Sequence, residues 1–444
     1  MSEELPLIPK ELSWLSFNER VLQEAADRNV PEIERLRYLG IFSNNLDEFF
    51  RVRVADVRKL AAFSKGEKKQ RYNELLEDIR DKVDELHGHF TRIYLDTLRD
   101  LRKRKIYLID EKQLDEHQDD YVARYFRKTV LPRLSPFLLD ENLLLPALND
   151  EEIYFAIRLQ LCDGTVRYAI VQIPSNRLPR FVEIPQRKAR RQKGSHVFIV
   201  LDNIIRHCLP DVFLGIFAID RAEAYTFKLT RDSELELGDG ISQSLVDKVS
   251  QSLQKRKKAD PVRFIYDDKM PDDLLEALKK RLSIGVVDTL MPGGRYHNSK
   301  DFMDFPLIGP KYLQYPQWPP VAVNMAAADN IFEAIRQRDI AMYYPYHSFS
   351  VVVRFLKTAA IDPDVRSIHA CLYRVAQDSQ IVDALINASL NGKQVTVVVE
   401  LQARFDEANN IRWAERLTEA GARVIFGVPG IKVHAKVLLV SRME

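Results

Sequence analysis

Val395-Thr396-Val397-Val398-Val399-Glu400-Leu401 is a short apolar run set between two amphipathic stretches, Ser379 to Leu390 and Glu407 to Ala420. A valine-rich run of this length suits a buried strand, and the flanking stretches are long enough for helices. The alternation continues outward, with Arg366 to Tyr373 and Arg423 to Gly427 as further strands. Gly392 and Gly421 stand where these helices should end, at the position that tolerates a left-handed backbone. Such alternation signals parallel βαβ units, and ligands of open α/β sheets gather beyond the carboxyl ends of the strands. Arg374 and Arg404 follow two of those ends. Their planar forks could clamp phosphate oxygens. They could equally pair with carboxylates close in sequence, Arg374 with Asp378 and Arg404 with Asp406 or Glu407.

Downstream, Ile431-Lys432-Val433-His434-Ala435-Lys436-Val437-Leu438-Leu439-Val440 puts a histidine and a lysine two apart. On an extended strand such residues share a face, so an imidazole nucleophile and a fixed cation would stand side by side. The pair suits phosphoryl transfer: the imidazole takes the phosphoryl group and the ammonium stabilises charge on its oxygens. The same pair would also serve merely to solvate a wet face. The surrounding Val433, Val437, Leu438, Leu439 and Val440 read as a central strand, where two such side chains require a reason.

Residues 1–106 read as a helical bundle. Ser16 with Glu19 has capping-box spacing, placing Phe17, Val21, Leu22 and Ala25 on one face. Pro31 opens a second helix to Ile41, Ser43-Asn44-Asn45 interrupts it, and Asn45 with Glu48 caps the next. Leu75, Ile79, Val83, Leu86, Phe90, Ile93 and Leu101 mark one long amphipathic helix. Residues 107–318 change to short runs such as 154–159, 168–173 and 197–201, with a helix near 274–282, which fits an α+β domain with a mainly antiparallel sheet. The stretch Tyr315-Pro316-Gln317-Trp318-Pro319-Pro320 ends it, leaving 319–444 as the α/β segment.

Among 444 residues, 46% are hydrophobic and 29% charged, which allows several packed domains. No run approaches the roughly 20 apolar residues of a membrane span, and the N-terminus lacks a signal-peptide pattern, so the cytoplasm is the default location. The three cysteines, Cys162, Cys208 and Cys371, are too scattered for a disulfide framework. Net charge is +2, so a polyanion would have to be held by local patches. Arg187 to Arg191 and Lys255 to Lys258 are two basic runs, read either as solvated surface or as such patches. Gly293-Gly294-Arg295 offers a weak anion-nest signal. His87 and His89, two apart on a helix, do not share a face for a metal. No Walker-type loop is present, so ATP would bind without one.

Taken in order, Glu11 to Asn18, Ser43 to Phe49, Pro292 to Asn298, Tyr344-Pro345-Tyr346, Tyr373 to Ala376 with Ser379, Val398 to Glu407 and the His434 segment resemble the large phosphohistidine-type bacterial polyphosphate kinases, distant relatives of phospholipase D. The resemblance implies a multidomain α+β protein: a helical N-terminal domain, an α+β head domain used in dimerisation, and a first phospholipase D-like α/β domain. It implies that His434 is the phosphorylated nucleophile with Lys436 beside it, that Asn45 contacts ATP, and that Arg374 and Arg404 lie in a Mg²⁺-triphosphate site. Guanidinium groups cannot ligate a cation, so both arginines are assigned to phosphate oxygens around Mg²⁺, and no direct protein ligand to the metal is identified. The implied reaction moves the terminal phosphate of ATP through His434 to inorganic polyphosphate, reversibly, with ADP as product and no nucleic acid involved. The resemblance leaves open a peripheral position at the inner face of the membrane.

Ser441 stands where the phospholipase D signature has an aspartate, which disfavours a phosphodiesterase or nuclease. The family carries a second phospholipase-like domain with another histidine beyond this point. The expectation is therefore a truncated chain, weak or inactive alone. The other alternative is a non-catalytic module that binds nucleotide or polyphosphate or dimerises with a partner.

Overall fold

A computed structural model describes residues 7–140, 148–150, 152–186, 195–231, 252, 261–282, 284, 290–322, 330–427 and 431–443. The chain divides into two compact units, Met1–Asp232 with Lys257–Pro316, and Ser233–Arg256 with Gln317–Glu444. Both basic runs lie outside the described residues.

The first unit opens with four helices, α1 (Lys10–Ala26), α2 (Glu32–Phe49), α3 (Ala55–Phe63) and α4 (Glu67–Lys103). Pro9 and Pro31 occupy the N-cap positions of α1 and α2. Ser16 lies inside α1, where its Oγ donates to the Leu12 carbonyl at 3.1 Å, so it caps nothing. The buried face runs through Leu15, Asn18, Leu22 and Ala25, and Phe17 is 48% exposed. Nor does Ser43-Asn44-Asn45 interrupt α2, which continues to Phe49 and passes through a π turn at Phe50–Val54 into α3. The Asn45 amide has a tertiary partner, donating to Asn18 Oδ1 at 3.0 Å, which removes its tendency to compete for local backbone. Leu15, Leu22, Ile33, Leu36, Leu39, Phe42, Phe49, Val83 and Leu86 form the helical core.

Beyond the helices come β1 (Ile106–Ile109), α5 (Glu116–Tyr125), β2 (Pro136–Leu138), β3 (Tyr154–Leu161), β4 (Val166–Gln172), β5 (Phe181–Glu183), β6 (His196–Val200), α6 (Leu201–His207), α7 (Leu209–Val212), β7 (Ile219–Arg231), β8 (Pro261–Asp267), α8 (Asp272–Arg281) and β9 (Leu290–Gly293). Their main sheet has the order β2-β4-β3-β7-β8-β9, antiparallel except for the β8–β9 pair, and β1-β6-β5 form a smaller one. Alternation along β3 sends Phe155, Ile157 and Leu159 into one core and Tyr154 and Ala156 into another.

Charge is also buried here. Lys228 and Arg263, each about 2% exposed, both face Asp47 of α2, and Lys228 Nζ also donates to Asn298 Oδ1 at 2.7 Å. Burial pushes the Asp47 carboxyl up, but Lys228 and Arg263 together outweigh burial and hold it below its ordinary value. A depressed folded pKa gives stability that is present above the unfolded carboxylate value of about 3.9 and lost as pH falls through the folded one. Urea midpoints should therefore drop below about pH 4, and Asp47→Asn should show a shallower acid dependence from an already lower midpoint.

The second unit contains α9 (Ile331–Gln337), α10 (Ser350–Ile361), β10 (Val365–Leu372), α11 (Gln380–Leu390), β11 (Gln394–Val399), α12 (Glu407–Glu419), β12 (Arg423–Phe426) and β13 (Leu438–Arg442). The predicted alternation is present, and Gly392 and Gly421 follow the helix ends with φ of +79° and +87°. The sheet order is β12-β11-β10-β13, parallel except for β13, which pairs antiparallel with β10. Val395, Val397 and Val399 join Ile368, Ala370, Leu385, Trp413 and Leu417 in its core.

Candidate functional site

An antiparallel β13 starts at the edge of the sheet where β10 and β11 end, with Leu438 opposite Ala370 and the Cys371 amide donating to the Val437 carbonyl at 2.9 Å. The segment before β13 is thereby delivered to those carboxyl ends. His434 and Lys436 are not on a strand, as their spacing suggested: residues 432–437 lie outside any strand, and β13 is a sheet edge with Leu439 56% exposed. Two exposed polar side chains before an edge strand need no burial to explain them.

The pair is nevertheless brought together, around Tyr373. The imidazole of His434 meets the Tyr373 ring edge to face, centroids 4.5 Å apart at 65°. Lys436 Nζ lies 4.7 Å from the centroid of the same ring and donates to the His434 carbonyl at 2.5 Å. The guanidinium of Arg374 is 5.5 Å from that centroid. One aromatic ring thus has two cations within about 6 Å of its centroid and an imidazole against it.

Arg374 and Arg404 also converge, through backbone. Arg374 Nη2 donates to the Arg404 carbonyl at 2.6 Å and its Nε lies 3.0 Å from Asp406 Oδ2. The carboxylate partner of Arg374 is thus Asp406, and not the sequence neighbour Asp378. Both contacts depend on Phe405, whose φ of +75° turns the chain so that residues 404 and 406 face the same guanidinium. A bulky residue holds that left-handed backbone at a cost of about 1–3 kcal/mol, and such strain gathers at functional sites.

Helix α12 fastens this edge. Asn410, 2% exposed, donates from Nδ2 to the carbonyls of Tyr373 and Glu400, each at 2.8 Å. Asn409 Nδ2 donates to the Val375 carbonyl at 2.9 Å and Trp413 Nε1 to that of Ala376 at 3.1 Å. The Glu400 carboxylate accepts from the Gln402 and Val433 amides at 2.8 and 2.7 Å. Sequence reasoning named Asp406 only as a partner for Arg404, carried Tyr373 and Glu400 only inside longer motifs, and passed over Asn410. Only their places just past strand ends, or in the following helix, could have pointed to them.

Asn45 belongs to the first unit, half-buried on α2 beside Asn18 of α1. Other candidates dissolve into structure. Arg295 ion-pairs with Glu111, and its carbonyl accepts from Thr226 Oγ1 at 2.7 Å. Burial and nearby Arg263 press the His87 imidazole down to about 4. His89, Glu19 and Glu85 bring ligand atoms within 4.8 Å of one another, but Lys82 Nζ already stands 3.0 Å from Glu19 and 2.9 Å from Glu85.

Sequence-family profiles match the chain in order: polyphosphate kinase N-terminal domain over 7–109, middle domain over 117–305 and C-terminal domain 1 over 330–444. A polyphosphate kinase of Vibrio vulnificus (strain YJ016) is 48% identical over 447 residues, covering 100% of this chain and 63% of the relative. That of Escherichia coli (strain K12) is 46% identical over 449 residues, covering 100% and 65%. The chain therefore spans less than two thirds of these relatives. The crystal structure of polyphosphate kinase from Porphyromonas gingivalis matches with a TM-score of 0.74 at 32% identity, covering 100% of this chain and 62% of that one.

Proposed function

Because the chain belongs to the polyphosphate kinase family, we propose that it carries the nucleophilic part of an ATP:polyphosphate phosphotransferase, with His434 as the group that is phosphorylated. The observation that carries this reading is the convergence of His434, Lys436 and Arg374 on the Tyr373 ring at the carboxyl edge of a parallel sheet. A ring nitrogen of His434 attacks the terminal phosphorus of ATP, the bond to the bridging oxygen breaks, and ADP leaves. A terminal oxygen of polyphosphate then takes the phosphoryl group and frees the imidazole. Lys436, Arg374 and Arg404 supply positive charge to the phosphoryl oxygens, where it is worth most in the transition state.

Mg²⁺ enters as part of the substrate, bound to the triphosphate, since the arginines assigned to that region donate hydrogen bonds and cannot ligate it. Asn45 contacts the nucleotide, and residues 1–106, 107–318 and 319–444 act as helical, head and catalytic domains. The head domain mediates homo-oligomerisation. Among the described residues no helix is long and apolar enough to cross a membrane, and the reading places the protein in the cytoplasm or at the inner membrane face.

The test is incubation with Mg-ATP labelled on the terminal phosphate, followed by peptide mapping. An acid-labile, base-stable label on the peptide containing His434 is expected, and a folded protein that takes up none sinks the reading. Arg374→Ala should slow labelling by about 10²–10³-fold, the usual loss when one preorganised charge donor is removed.

A further inference from the structure

We propose that Glu400 is a positioning residue for His434, an assignment that rests on His434 being the phosphorylated group. Glu400 is 5% exposed just past the end of β11, yet among the described residues neither carboxylate oxygen forms an ion pair. Each accepts a backbone amide instead: Oε1 that of Gln402 at 2.8 Å, and Oε2 that of Val433 at 2.7 Å. The Gln402 bond orients the carboxylate. The Val433 bond grips the amide directly before His434, in a segment that has no strand ladder of its own. The Glu400 backbone is itself fixed, its amide donating to the Leu372 carbonyl at 3.0 Å and its carbonyl accepting from Asn410 at 2.8 Å. A rigid chain of contacts therefore runs from β10 and α12 through Glu400 to the main chain of His434.

Only a carboxylate of this length completes the arrangement. Glutamine has one carbonyl oxygen and a donating NH₂, so one of the two amides would meet a donor. Aspartate is a methylene shorter and cannot hold both amides from the same backbone. Loss of the Val433 bond would let the imidazole wander relative to an incoming phosphorus, and misplacement by about 1 Å can cost about a hundredfold in rate.

The experiment compares wild type, Glu400→Gln and Glu400→Asp by labelling from Mg-ATP and by hydrogen exchange of the 432–437 peptide. In both variants labelling should slow by about tenfold to a hundredfold with little change in the KM for ATP. Exchange should rise in 432–437 while that of β11 stays as in wild type. A loss confined to stability, with protection falling equally in β11 and in 432–437, would overturn the assignment, as would unchanged labelling and exchange. The exchange measurement needs no turnover, so the two readings fail separately. Absence of label in wild type sinks the phosphotransfer reading, while exchange still decides whether Glu400 holds the segment. Should the buried substitutions prevent folding, Val433→Pro removes the same bond from a half-buried surface position. It is expected to reproduce the effect on 434–437 and on labelling, and normal labelling in it would overturn the proposal.

Discussion

Replacing His434 with alanine is expected to abolish labelling from Mg-ATP, a fall on the order of 10⁴-fold or more, because the proposed mechanism forms its covalent intermediate on this imidazole. The substitution should leave the fold intact. His434 is exposed, contributes its carbonyl and not its ring to Lys436, and loses only an edge contact to Tyr373. Such a ring contact is worth about 1 kcal/mol, far less than the expected loss in the rate of transfer. Binding of Mg-ATP should survive as well, since the cationic groups assigned to the phosphate oxygens remain. The decisive measurement is peptide mapping of label in the two proteins under single-turnover conditions. Label persisting at wild-type level on another peptide, such as the one containing exposed His369 on β10, would move the nucleophile elsewhere.

The meeting of Arg374 and Arg404 at one sheet edge was legible because it follows from topology, whereas His434 was tied to them only by the family resemblance. Strand and helix alternate from 365 to 426, the parallel strands end at one edge, and residues just past those ends meet there. The manner of their meeting was not legible. His434 and Lys436 were read as one face of a strand, yet they precede β13 and are gathered by the Tyr373 ring. Period-two reasoning cannot see where a strand begins when apolar residues continue on both sides. Phe405 carries no sign of its positive φ, a conformation that composition assigns to glycine or asparagine. Glu400 and Asn410 act through hydrogen bonds to main chain 10 to 37 residues away, which no local pattern encodes. The Asn45 cap failed for the related reason that an asparagine with a tertiary partner no longer needs a helix end.

A second large effect is expected in the first unit, where Asp202→Asn should destabilise the fold by about 3–5 kcal/mol. Asp202 is 0% exposed and faces Arg180, 8% exposed. Arg180 Nη2 donates to Oδ1 at 2.8 Å, while Nε lies 2.7 Å from Oδ2 outside hydrogen-bond alignment. The same guanidinium reaches Asp301 at 2.5 Å and the His297 carbonyl at 3.3 Å. Asparagine keeps the shape and one acceptor but leaves a buried cation with less compensation. Asp301 cannot fully take over, because burial raises its carboxyl pKa and so disfavours the charge that Arg180 would then need. The consequence reaches α2, since this network holds the 297–304 segment against that helix. An ideal Cβ on Gly40 would stand only 2.8 Å from Met303, so the two backbones meet too closely for any side chain. Loosening the segment therefore loosens the seat of the helix that bears Asn45. Urea unfolding of Asp202→Asn should show the lower midpoint with an unchanged slope. Arg180→Met with Asp202→Leu and Asp301→Asn should recover much of the loss, because replacing all three charges removes the desolvation cost that any one alone leaves. A triple variant no more stable than Asp202→Asn would instead mean that the network is retained for its hydrogen bonds, such as that to the His297 carbonyl.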